Sequence, residues 1–64
     1  MRTGIVLSYD HNVGYGFIED SNKQNIHFRN TDVKVTFNKS DIVGFSIALV
    51  GNSLEAINVI HTAE

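Results

Sequence analysis

Three histidines, five serines and two aromatics spaced two apart are the residues whose types invite a chemical reading. His11, His27 and His61 lie far apart, and none pairs with a Cys or with carboxylates at a ligand spacing, so no metal site is expected. Nucleophilic catalysis needs a Ser beside a His with an orienting acid. Ser8, Ser21, Ser40, Ser46 and Ser53 show no recognisable elbow. Gly14-x-Gly16 is too short for a dinucleotide fingerprint and opens no helix. The expectation is a protein without catalytic residues, metal or cofactor: not an enzyme.

The aromatics offer a different chemistry. In Gly14-Tyr15-Gly16-Phe17-Ile18 the two rings stand at i and i+2, hence on one face of a strand, with glycines on the other. Asn25 and His27 share a face by the same rule. If these two runs pair as an antiparallel hairpin, Tyr15, Phe17 and His27 form a contiguous ring surface, with Phe28 bordering it at the strand end. Nucleobases stack on such a surface for about 1–3 kcal/mol each, largely regardless of sequence. Alternation alone leaves a second reading open, in which Tyr15 and Phe17 are simply core residues.

The elements that must position these rings are short. Apolar, β-prone runs cover Ile5–Tyr9, Gly14–Ile18, Asn25–Phe28, Ile42–Val50 and Leu54–Ile60, separated by polar or Gly-containing turns. The fourth alternates most cleanly, with Val43, Phe45, Ile47 and Leu49 on one face and Gly44, Ser46 and Ala48 on the other. No window sustains helical periodicity, and only 31–40 has room for a helical turn. Five strands and no long helix predict an all-β fold, a small five-stranded antiparallel barrel spanning 1–64 as one domain. Closure is favoured because it removes the sheet edges. The expected core is Val6, Ile18, Ile26, Val43, Phe45, Ile47 and Val59.

Composition narrows the class. A 64-residue chain with no Cys cannot use disulfides, so one compact core must hold it, with help from oligomerisation at most. With 42% hydrophobic and 19% charged residues it is globular in character and not disordered. Five Lys/Arg against seven Asp/Glu give a net charge of −2, which is not the balance of a protein that grips a polyanion by global charge. The N-terminus lacks the long apolar stretch of a signal peptide, and nothing approaches a membrane span, so a cytoplasmic protein without membrane contact is expected.

Thr3-Gly4-Ile5-Val6, then Gly14-Tyr15-Gly16-Phe17-Ile18, then Ile26-His27-Phe28 resembles the cold-shock domain. That family opens on a Gly-x-Val strand and carries an RNP1 motif, Lys-Gly-(Phe/Tyr)-Gly-Phe-Ile, followed by an RNP2 motif, Val-Phe-Val-His-Phe. Val43-x-Phe45-x-Ile47 is similar to its fourth strand, and Ala56-Ile57-Asn58-Val59 to its terminal Ala-Ala-Asn-Val. The resemblance covers nearly the whole chain, with the loops before and after strand three each shortened by about two residues. It implies an OB-type barrel that binds single-stranded RNA or DNA, with roles such as RNA chaperoning, stress response or transcriptional regulation.

Departures fall on the binding face. Leu7-Ser8-Tyr9 stands where the family has Lys-Trp-Phe, Val13 where RNP1 has Lys, Asn25 where RNP2 has its first Phe, and Lys34 at a loop aromatic. Phe37 matches a residue that packs inside. The resemblance leaves Tyr9, Tyr15, Phe17, His27 and Phe28 as the stacking set. Arg29 and Lys34, with Lys23 before strand three, are candidate phosphate contacts, or else scattered solubilising charge. Asp10 and Glu19 are acidic neighbours. Losing three aromatic positions implies weak binding with little base selectivity.

The leading expectation is therefore a monomeric binder of single-stranded nucleic acid. The alternative is a barrel of the same fold repurposed for protein contact or self-association, through apolar replacements at Leu7, Val13, Val33 and Val35.

Overall fold

The computed structural model describes residues 2–32 and 34–62. Five strands make up the fold: β1 (Arg2–Asp10), β2 (Tyr15–Asp20), β3 (Asn25–Arg29), β4 (Ile42–Val50) and β5 (Ser53–His61). They close into a barrel in the order β1-β2-β3-β5-β4, with β4 returning to β1. No helix is long and apolar enough to cross a membrane among the described residues. The all-β, five-stranded barrel read from the sequence is what forms.

One refinement is topological. A ring of five strands cannot alternate direction all the way round, because the number is odd. One junction must be parallel, and it is β3 against β5, held by only two residue pairs, His27↔Glu55 and Phe28↔Ala56. Every other junction is antiparallel.

Two irregularities set which side chains face inward. The β1–β2 register runs Val6↔Ile18 and then Ser8↔Phe17, so Leu7 is an extra residue on β1. Such a bulge rephases the alternation, and Val6 and Tyr9, three apart, both turn toward the core. In β5 the register slips between Ile60 and Ile57, and Asn58 takes the left-handed conformation at φ 54°. Asn tolerates that region better than most residues. The slip lets Ala56 and Val59 both reach the core.

The core is aromatic. Phe28, Phe37 and Phe45 are its largest fully buried side chains, packed with Val6, Ile18, Ile26, Val43 and Ala56. Phe28 and Phe37 meet edge to face at 5.3 Å, and Tyr9 stacks on Phe28 at 5.7 Å. Phe37 comes from the long β3–β4 connection and plugs one end of the barrel, where His61 stacks on it at 4.6 Å. Two backbone hydrogen bonds to Val6, from Ser40 N–H and to Asp41 C=O, hold that connection against β1. Of the expected core, Ile47 and Val59 are half-buried against it instead of sealed within it. Leu49 is corrected outward: it is 70% exposed, since β4 runs past the barrel's end there to pair Leu49 with Leu54 in the terminal hairpin.

Candidate nucleic-acid interface

The space that Phe28 occupies decides which face of β2 points out. Gly16 is buried opposite Phe28 in the β2–β3 register. A Cβ there would meet the Phe28 ring at 2.9 Å and run into the Ser8 carbonyl oxygen. A glycine is what lets the ring lie beneath the strand. With Gly16 and Ile18 inside, Tyr15 and Phe17 must face out, and of the two readings left open by alternation the inward one is excluded.

The outward rows pair Tyr15 with Arg29, Phe17 with His27 and Glu19 with Asn25. Phe17 and Tyr15 meet edge to face at 5.5 Å, and Tyr15 lies nearly parallel to His27 at 5.9 Å and 24°. Phe17 is 39% exposed, while Tyr15 and His27 are half-buried. Three rings thus share one continuous face on two paired strands. Beyond His27, on β5, the Glu55 carboxylate sits 3.5 Å from His27 Nε2. A groove of about 240 Å³ runs along the β1 side of the rings, between Ser8, Asp10 and Phe17.

Four of the expected site residues are on or beside this face: Tyr15, Phe17, His27 and Arg29. Three are not. Phe28 is corrected from the platform to the core at 0% exposure, because β3 continues through Arg29 and places Phe28 inward between two outward residues. Tyr9 is turned inward by the Leu7 bulge; its ring packs on Phe28 and Phe37, and its hydroxyl accepts a hydrogen bond of 3.0 Å from Asn30 Nδ2. It still lines the groove beside Phe17. Lys34 is exposed on the β3–β4 connection, off the two platform strands. Lys23 sits in the β2–β3 turn, at the opposite end of the hairpin from Tyr15 and Arg29. On the platform strands themselves the outward charges are Arg29 and Glu19, with Glu55 adjoining from β5 and Asp10 opposite Tyr15 on β1. The face has no basic excess.

A second cleft, of about 250 Å³, lies at the barrel end between the β1–β2 turn and the β3–β4 connection. Tyr9, His11, Asn30 and Thr36 line it, with the His11 ring edge-on to Tyr9 at 5.1 Å and its Nδ1 2.5 Å from the Thr36 hydroxyl. Asn30 Nδ2 also donates to the Val35 carbonyl. Sequence reading passed over this cleft, because its residues come together across 21 to 25 positions of chain with no local spacing to mark them.

Of the apolar replacements considered for protein contact, Val13 is exposed in the turn, Leu7 is half-buried, and Val35 packs against the core. Val33 lies outside the described residues. Leu7, Val13 and Val35 do not make one exposed patch. Compared with known proteins, the chain matches no protein-family model and no curated sequence.

Proposed function

We propose that the chain is a non-enzymatic, cold-shock-like protein that binds single-stranded RNA or DNA by base stacking on Tyr15, Phe17 and His27. The observation that carries this reading is the outward placement of three contiguous rings on β2 and β3, with Phe17 39% exposed where an aromatic ring ordinarily belongs inside. Bases offer a π-face to such a surface whatever their identity, so selectivity is low. Duplex DNA hides those faces in its stack and is a poor ligand for it.

Charge sets the strength. Arg29 alone adds a cation to the platform strands, against Glu19 there and Glu55 beside them. Stacking contributes most of the affinity, and the salt dependence is shallow. A cytoplasmic role in handling single-stranded transcripts suits a weak, unselective binder of this kind.

The test is a titration of the protein with a seven-residue oligothymidine, the matching oligouridine and a duplex of equal length, each at low and high salt. Saturable binding of both single strands, with little response to the duplex, supports the proposal. Equal binding of the duplex, or none of the three, removes it.

A further inference from the structure

We infer, resting on the stacking reading above, that the cleft at the open end of the β3–β5 seam is a sugar-phosphate subsite that favours RNA over DNA. β3 and β5 pair only at His27↔Glu55 and Phe28↔Ala56. Past those pairs the two chains part, and a cleft of about 210 Å³ opens between residues 29–32 and 58–59. Phe37, sealed in the core, and Val59, packed against it, line the cleft too and hold its shape.

Its polar groups are left open by the protein. Among the described residues, the side chains of Arg29, Thr31 and Asn58 make no hydrogen bond or ion pair. Asp32 Oδ1 accepts the Lys34 backbone N–H at 2.9 Å, and its other oxygen has no partner there. Arg29 and Asp32 line one cleft without pairing, since the ion pairs of the described residues are His27–Glu55 and His61–Asp41. The β5 slip at Asn58 presents that exposed side chain to the same space.

The donor set names the occupant. A guanidinium without an internal partner takes phosphate oxygens in its fork. A carboxylate accepts and cannot donate, so it repels a phosphodiester unless a hydroxyl stands between them. The ribose 2′-hydroxyl is that group, since it adjoins the 3′-phosphate and can donate to Asp32. A deoxyribose brings only the anion. Thr31 and Asn58 both donate and accept, and serve the hydroxyl or the phosphate.

Position ties the cleft to the rings. Arg29 points outward on β3, two residues from His27 and opposite Tyr15 in register. Two strand residues span about 7 Å, the reach of one nucleotide, so a base on Tyr15 or His27 brings its sugar to the cleft. The volume falls below the roughly 300 Å³ at which pockets begin to hold drug-sized ligands. It suits one sugar and phosphate, not a whole nucleotide.

Titrations of the intact chain with heptamers of uridine, deoxyuridine and 2′-O-methyluridine at low salt test this, because all three share one base. The uridine strand should bind about 3- to 10-fold tighter than the deoxyuridine strand, the effect of one hydrogen bond to a charged, exposed acceptor. The methylated strand keeps the oxygen but loses the donor, and should bind no tighter than the deoxyuridine strand. Asp32→Asn removes the charge, keeps an acceptor for the Lys34 N–H, and should bring the uridine-to-deoxyuridine ratio close to one. Phe17→Ala should weaken both strands and leave their ratio as in the parent. Equal binding of uridine and deoxyuridine strands by the parent overturns the inference while the stacking reading stands. So does a methylated strand held as tightly as the uridine one, or an undiminished ratio in Asp32→Asn. Binding of none of the three removes both readings. If Asp32→Asn fails to fold, the methylated strand decides on the parent alone.

Discussion

Phe17 and Phe28 lie in adjacent strands, one register row apart, and their side chains meet opposite fates. Phe28 is enclosed by Gly16, Tyr9 and Phe37, so Phe28→Ala should lose a buried ring and cost about 3–5 kcal/mol. A chain of 64 residues has on the order of 3–10 kcal/mol in hand, and this variant should be largely unfolded at 37 °C by circular dichroism. A melting temperature within a few degrees of the parent would contradict that placement. Glu19 tests the electrostatics of the same face. It points outward two residues from Phe17, opposite Asn25, and an oligonucleotide phosphate passing it is repelled. Glu19→Gln should tighten oligothymidine binding by about 2- to 5-fold at low salt, an advantage that fades as salt screens the charge. Unchanged affinity at low salt would mean the strand does not pass Glu19.

The strands owe their inward faces to two slips of register, and these can be probed separately from the rings. Asn58 holds φ 54° in β5, so Asn58→Gly should be close to neutral while Asn58→Val should cost about 1–2 kcal/mol in thermal or urea unfolding. Equal stability of the two would mean that the bulge does not govern β5. Gly16→Ala should be destabilising for a different reason, overpacking against Phe28, by about 1–3 kcal/mol. These same slips explain how far alternation could be followed in the sequence. Val6, Ile18, Ile26, Val43 and Phe45 lie on regular stretches, and their burial follows from period two. Tyr9 lies beyond the Leu7 bulge, where the count is off by one, and no residue type announces an extra position there. Phe28 was hidden by a boundary: ending β3 at Phe28 makes it a rim residue, and extending β3 to Arg29 makes it core. Gly16 carried the deciding signal, because a glycine opposite an aromatic leaves room for one ring only, on its own side of the sheet. The His11–Thr36 cleft depends on how a long connection folds back, which no short-range pattern encodes.

The whole barrel carries its outward rings on β2 and β3 and its exposed isoleucines Ile5, Ile42 and Ile60 on β1, β4 and β5, and the chain's net charge is −2. That distribution predicts an uncommon signature for a nucleic-acid binder. With Arg29 as the one cation on the platform strands, log K should fall with log salt at a slope of about −0.7 to −1.5, one or two phosphate contacts' worth. A slope steeper than about −3 would place basic residues of the connection or turns in the contact as well. The central claim is that Phe17 is an exposed stacking residue and not a structural one. It is tested most directly by measuring thermal stability and oligothymidine affinity on Phe17→Ala beside the parent. The barrel described here predicts a melting temperature nearly unchanged and binding weakened by about 1–3 kcal/mol, the contribution of one stacked base. An unfolded Phe17→Ala, or a folded one that binds oligothymidine as tightly as the parent, would contradict it.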